Sequence, residues 1–309
     1  MEQKITTSDQ EVRKKVIPGE RMSVISPFRY FGGKSRASVV EKLKKYAPPG
    51  FFEDKDWSYL EPMCGGSGLF FSIPTYSVQS RWINDKDENL MAVYLALRDR
   101  PKEFIQSCRN IEPIKSIDDL DGIKRLKTTF HQFSQDGTMD PALKYFFMNR
   151  VNWGGRINDQ IASQVYFSNP QGWNIVKTDI LEKAAEHLQG VKITARDYNA
   201  LLNKPGKSRE KVFVFLDPPY TTSKRLSKER QLYRHNFFTK QHKRLAKNVK
   251  LCQHKVMISY DDDPFIRELY QGFNIFEEEW TYCGNSGEEK HLGKELIITN
   301  YDVSSDNLF

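Results

Sequence analysis

The sequence predicts an open α/β sheet of Rossmann-like type, with an antiparallel hairpin at one edge and an inserted, mainly helical domain. Three observations lead there. Short apolar segments alternate with amphipathic ones over residues 27–97 and again beyond 189. A glycine-rich turn with Gly65, Gly66 and Gly68 directly follows the first of the apolar segments. The apolar run Val212–Leu216 ends in Asp217-Pro218-Pro219-Tyr220, at the strand end where open parallel sheets bind ligands.

The elements follow in order. Residues 1–24 read as a mobile polar arm, and Met1–Glu20 has no apolar centre that would mark a secretory signal. From Ser35, the residues Val39, Val40, Leu43 and Tyr46 recur at helical spacing until Pro48, Pro49 and Gly50 end the helix. Trp57 to Glu61 is a short strand, Pro62 to Gly68 a turn, and Leu69, Phe70 and Phe71 open a helix. Gln79 to Asn84 is a second strand that ends at Asp85, and Glu88 to Leu97 is a helix. This is the order of a βαβ unit. Residues 98–188 break the alternation. They are helical and polar with a loop-rich patch from Asn149 to Gly172, so they read as an insertion between two parts of one domain, 25–97 and 189–309. Strands resume at Val191–Ala195, Val212–Leu216 and Lys255–Ser259. Phe273–Tyr282 and Glu295–Tyr301 have the pattern of the edge hairpin.

Composition narrows the function classes. Of 309 residues, 39% are hydrophobic and 13% aromatic, enough for the core of one large domain with an insertion. No apolar run reaches the length of a membrane span. Cys64, Cys108, Cys252 and Cys283 are scattered, without the close pairing of a zinc site, and no metal is expected. Reduced thiols and the absence of a signal point to the cytoplasm. The net charge of +7 is local: residues 221–250 hold ten Lys/Arg against one acid, Glu229. Such a stripe is either a solvated helix face or the footprint of a polyanion such as nucleic acid. Its start directly behind Tyr220 favours the polyanion.

Three motifs carry chemistry. Glycines let the turn at Glu61–Gly68 approach a ligand closely, with free N–H groups behind it. Asp85, ending the second strand, is placed to accept from ribose hydroxyls or to cap the following helix. In Asp217-Pro218-Pro219-Tyr220, the two prolines stiffen the turn so that the Asp217 carboxylate and the Pro218 carbonyl converge as acceptors. Two acceptors on one amino group favour its pyramidal form and stabilise the positive charge it develops as a nucleophile. Tyr220 offers a flat face for an extracted base.

Over residues 27–301 the sequence resembles the Dam-type (alpha-class) N6-adenine-specific DNA methyltransferases, whose cofactor motifs precede the catalytic tetrapeptide. Pro27-Phe28-Arg29-Tyr30-Phe31-Gly32-Gly33-Lys34 is similar to the family's first motif, which implies cofactor contacts at Tyr30, Gly33 and Lys34. Glu61-Pro62 with Gly65 and Gly66 resembles the next, and Asp85 the acid on the ribose. Asp197-Tyr198 resembles the pair that holds the cofactor's adenine. Phe238-Thr239 with His242, Leu245 and Ala246 resembles the helix behind the catalytic turn, and Lys294 to Tyr301 the closing strand. The sequence departs in having Met63 in place of the usual Phe, and Gly65-Gly66-Ser67-Gly68 in place of Gly-x-Gly, so that Gly68 takes the third glycine's part.

The resemblance implies an S-adenosylmethionine-dependent methyltransferase sheet, S-adenosylhomocysteine as product, and Asp217, Pro218, Pro219 and Tyr220 as the catalytic turn, with Asp217 also bordering the cofactor. The insertion would be the target-recognition domain. Asn149, Arg150, Asn152, Gly155, Arg156 and Asn158 match the family's Asn-Arg…Gly…Arg-x-Asn stretch, which suggests nucleic-acid contacts at Arg150, Asn152, Arg156 and Asn158. Arg156 is equally suited to a phosphate or to bracing its loop. Lys224, Arg225, Lys228, Arg230 and Arg234 would hold phosphates beside a flipped base. The expected partner is double-stranded DNA on the nucleoid, with no membrane partner. A monomer is the default, and a restriction endonuclease counterpart is not detectable from this chain. The alternatives are an RNA adenine or DNA N4-cytosine methyltransferase, or a non-catalytic DNA-binding protein of the same fold.

Overall fold

The computed structural model describes residues 26–30, 33–152, 155, 167–202, 210–220, 237–282 and 291–303. The polar arm, Phe31, Gly32, Trp153, Gly154, Arg156, Asn158, the stretch Lys224–Arg234 and Cys283 lie outside them.

Seven strands form one sheet: β1 (Trp57–Glu61), β2 (Ser80–Asn84), β3 (Lys192–Thr194), β4 (Lys211–Leu216), β5 (Lys255–Asp261), β6 (Asn274–Tyr282) and β7 (His291–Thr299). Their order is β3-β2-β1-β4-β5-β7-β6. The first five are parallel. The hairpin is not simply appended: β7 runs antiparallel between β5 and β6, so of the two hairpin strands β6 alone is at an edge. The apolar runs of β1 and β4 follow from burial on both faces. Alternate side chains serve opposite layers. Tyr59, Phe213 and Phe215 join one buried cluster, while Leu60, Val214 and Leu216 join the other.

The first layer contains α1 (Ala37–Lys45), α2 (Glu88–Asp99), α3 (Pro101–Arg109), α4 (Leu120–Gln135), α5 (Pro141–Val151) and α6 (Ile180–His187). The side chains of Val39, Val40 and Leu43 bury one face of α1, and Lys42, Lys44 and Lys45 suit its carboxyl end. Asp87 caps α2, accepting from Asn89 N at 3.1 Å and Leu90 N at 3.4 Å. The helices of segment 98–188 share this layer's core. Phe146 packs at 5.9 Å from Phe28 and 5.7 Å from Trp173. The second layer holds α7 (Asn199–Leu202), α8 (Thr239–Leu251) and α9 (Pro264–Leu269).

One expected element is much shorter than the sequence suggests. Behind the glycine turn stands a single 3₁₀ turn, Phe70–Ser72. Pro74 is the reason: it holds the preceding Ile73 extended, at φ −83° and ψ 122°, and a helix cannot continue through it.

Candidate active site

A cleft opens at the carboxyl ends of β1 to β4, lined by the glycine turn, Asp85, Asp197, Tyr198 and Asp217–Tyr220, with Tyr30 and Lys34 from the N-terminal segment. These residues, expected to hold a cofactor or to form the catalytic turn, come from five separate stretches of sequence, and the fold brings them to one place. Parallel strands put their ends on one edge, and the order reverses between β1 and β4, which leaves a crevice there.

The glycine turn is tied down at several points. Gly65 has φ +45° and donates its N–H to Asp85 Oδ2 at 3.0 Å, while its carbonyl accepts from the Tyr94 hydroxyl at 2.8 Å. Its left-handed backbone and the Tyr30 ring, 2.8 Å from where a Cβ would stand, both require glycine. Gly68 serves close approach, because a Cβ there would meet the Lys34 carbonyl at 2.3 Å. Ser67 holds φ +49° without being glycine, a local strain at the cleft floor.

The acids divide their work. Asp85 accepts from Gly65 N and, through Oδ1, from Asp87 N at 3.0 Å; burial still pushes its pKa up to about 6. Capping of α2 falls to Asp87, which leaves Asp85 to the cleft. Glu61 is buried, and Tyr59 donates to it at 2.9 Å; burial raises its pKa well above the carboxylate range. It lines the cleft at the end of β1. Asp197 accepts from Asn199 N at 3.0 Å, and Tyr198 beside it is buried.

Asp217 lies at the end of β4, one-fifth exposed. Its Oδ1 accepts from Ser259 Oγ at 2.6 Å and Lys34 Nζ at 3.0 Å. No hydrogen bond among the described residues reaches Oδ2. The buried Lys34 also donates to the Tyr220 hydroxyl, which donates to Glu295 Oε2 at 2.6 Å. Burial and the adjacent carboxylates raise the Tyr220 phenol and keep it neutral.

Ser259, Glu295, Phe237 and Gln241 were not expected at the site, and Arg244 was read only as part of the basic stripe; Phe237, Gln241 and Arg244 also line the cleft. The only signals were a polar residue at a strand end (Ser259), a lone acid inside an apolar strand (Glu295) and the start of the basic helix.

Arg150, expected to contact nucleic acid, is half-buried and engaged with backbone carbonyls, and Asn152, expected there too, is buried. Arg150 donates to Gly172 O at 3.0 Å and Pro27 O at 3.2 Å, and burial lowers its pKa to about 9. Asn152 is 2% exposed. Neighbouring Asn149 accepts from Arg29 N at 3.1 Å and donates to Arg29 O at 2.7 Å and Gly155 O at 2.9 Å. The Asn149-Arg150 pair is a clamp on the segment that carries Tyr30 and Lys34. Gly155, at φ +72°, admits Arg29, whose carbonyl would lie 1.9 Å from a Cβ.

Among the described residues, no cluster of three or more His, Cys, Asp or Glu is arranged to hold a metal ion, and no helix is long and apolar enough to cross a membrane.

A parallel sheet closed by an inserted antiparallel strand, with a ligand crevice at its switch point and Asp-Pro-Pro-Tyr on the crevice rim, defines a Rossmann-like methyltransferase. The model of the D12 class N6 adenine-specific DNA methyltransferases matches residues 30–283, and the chain belongs to that family. It is an enzyme, a site-specific DNA adenine methyltransferase. It is similar to three Type II methyltransferases. M1.LlaDCHI of Lactococcus lactis subsp. cremoris is 27% identical over 258 residues, covering 79% of this chain and 86% of that protein. M.MjaIII of Methanocaldococcus jannaschii is 24% identical over 90% of this chain and 99% of that protein. M.CviBI of Paramecium bursaria Chlorella virus NC1A is 25% identical over 88% and 98%.

Proposed function

We propose that the enzyme methylates N6 of an adenine extruded from double-stranded DNA and draws the methyl group from S-adenosylmethionine. The observation that carries this is the state of Asp217: one carboxylate oxygen is held by Lys34 and Ser259, and the other is left for a substrate amino group. The residues fit the cofactor. Asp85 suits its ribose diol, the N–H groups of the glycine turn suit its carboxylate, and the cleft at Asp197-Tyr198 suits its adenine. Glycine-tight packing under Tyr30 forms the cradle. When bound, the cofactor would supply a sulfonium methyl to N6, the S–C bond breaking as the N–C bond forms and the sulfur departing as a neutral thioether.

The protein's part is orientation and charge. Asp217 Oδ2 and the Pro218 carbonyl accept the two amino hydrogens, which frees the nitrogen lone pair from the ring. Asp217 then takes the proton that N6 releases. Tyr220, anchored by its hydroxyl, presents its ring to the base. Met63 packs in the cleft where the family's pattern has Phe. Target recognition falls to the 98–188 segment, with Arg156 and Asn158 as its base or phosphate contacts, and Lys224, Arg225, Lys228, Arg230 and Arg234 on phosphates. The enzyme works as a cytoplasmic monomer on the nucleoid.

Incubation with labelled S-adenosylmethionine and unmethylated duplex DNA, followed by digestion to nucleosides, should yield labelled N6-methyladenine. N4-methylcytosine, or label on RNA alone, would contradict the proposal. Asp217→Ala should abolish transfer while cofactor binding, read by calorimetry, largely survives.

A further inference from the structure

The closing strand places a buried acid behind the catalytic turn. Glu295 is fully buried in β7, opposite Asp261 of β5 and Glu278 of β6. A carboxylate is costly to bury unless it is paired and hydrogen-bonded. Both of its oxygens are engaged. Oε1 accepts from Trp280 Nε1 at 2.9 Å, and Oε2 accepts from the Tyr220 hydroxyl at 2.6 Å and lies 3.4 Å from Lys34 Nζ. Lys34 in turn lies 3.0 Å from Asp217 Oδ1 and donates to the Tyr220 hydroxyl. One ammonium therefore stands between two carboxylates, with a phenol bridging them. Of the other acids nearby, Glu278 is taken up by Lys42 and Tyr46, at 2.8 Å each, and the half-buried Asp261 adds negative potential at Tyr220.

We propose that Glu295 is a positioning residue of the methyl-transfer site: its buried carboxylate holds the Lys34 ammonium and the Tyr220 phenol where they fix Asp217 for its substrate. This rests on the methyl-transfer reading given above. Two physical reasons support it. Were Asp217 the only carboxylate, the ammonium would fall to it entirely and compete with the substrate's amino group for its oxygens. With Glu295 present the ammonium is shared, and the cluster keeps one net negative charge to meet the positive charge that develops on N6. Burial raises Glu295 to about 7 against the pull of Lys34, so the arrangement depends on pH near neutrality.

The test compares wild type with the isosteric Glu295→Gln. Wild-type turnover on duplex DNA is measured first. Its absence would sink the methyl-transfer reading, whereas an active wild type leaves the variant to judge the role of Glu295. Glu295→Gln should lower kcat roughly 10- to 100-fold, the size of effect expected when a reacting group is misplaced, with KM for DNA and cofactor nearly unchanged. Wild-type kcat should fall as pH drops through about 7, where Glu295 takes up a proton, and the variant should lose that inflection. In a Lys34→Met background the same substitution should cost much less, because the charge it balances is gone. A variant with wild-type kcat and the wild-type pH profile overturns the proposal, as does an equal loss in the Lys34→Met background. If Glu295→Gln does not fold, Tyr220→Phe removes the phenolic link alone. A kcat loss of the same order with unchanged KM supports the role, and an undiminished kcat overturns it.

Discussion

The Asp85 carboxylate stands in the cleft with two backbone N–H groups on it, and burial nevertheless raises it from 3.8 to about 6. Its folded-state pKa exceeds the unfolded one, so the folded protein prefers the neutral acid. The stability this contributes is complete below about pH 4 and is lost as pH rises through 6. At pH 8 the ionised form carries a linkage cost of roughly 2 kcal/mol, after a discount for its partial exposure. Asp85→Asn should therefore raise Tm by several degrees at pH 8 and leave it nearly unchanged at pH 4. The same change should weaken cofactor binding, since an amide is a poorer partner for a diol. Calorimetric melts at the two pH values check the first part; an equal shift at both would mean that burial of the charge is not the cause.

The N-terminal segment is held by α5 rather than by the sheet alone. Asn149 makes three hydrogen bonds to Arg29 and Gly155, and Arg150 reaches Pro27 and Gly172. Asn149→Ala leaves these backbone groups unpaired, at about 1–3 kcal/mol for each that is buried. It should lower Tm and also cofactor affinity, because Tyr30 and Lys34 follow directly. Arg150→Met should destabilise the fold without altering the methylated sequence, read on a panel of duplexes; an altered sequence with unchanged Tm would return Arg150 to base recognition. Elements were legible where local signals agreed: β1 was expected and found at Trp57–Glu61, and Asp217-Pro218-Pro219-Tyr220 stands at its strand end. The helix expected after Gly68 was not, because Leu69, Phe70 and Phe71 suit a helix locally and Pro74 forbids its continuation. Ser259 and Glu295 were invisible for another reason. They reach Asp217 only through the register of β5 and β7, 42 and 78 positions away, and no spacing rule spans such a distance.

At the scale of the whole chain, positive charge collects in the sequence directly after Asp217-Pro218-Pro219-Tyr220. Residues 221–250 carry +9 within a chain of +7, and in α8 the side chains of Lys240, Lys243, Arg244, Lys247 and Lys250 are exposed, with no acid in the helix. The two halves of this stripe should behave differently. Arg244 lines the cleft, but α8 runs away from it, and at 1.5 Å per residue Lys250 stands roughly 9 Å further along. Residues 224–234 follow Tyr220 directly in the chain. If they hold phosphates beside the extruded base, Lys224/Arg225/Lys228→Ala should weaken duplex binding and flatten its salt dependence, by about 0.9 in the log–log slope for each phosphate no longer neutralised. Lys250→Gln should leave the slope unchanged on a short duplex. Binding titrations across a range of salt concentrations separate the two. An unchanged slope in the triple variant would make the first half of the stripe a solvated surface. A reduced slope for Lys250→Gln would extend the DNA path along α8, and steering by the whole stripe rather than binding at the cleft would then set the rate of capture.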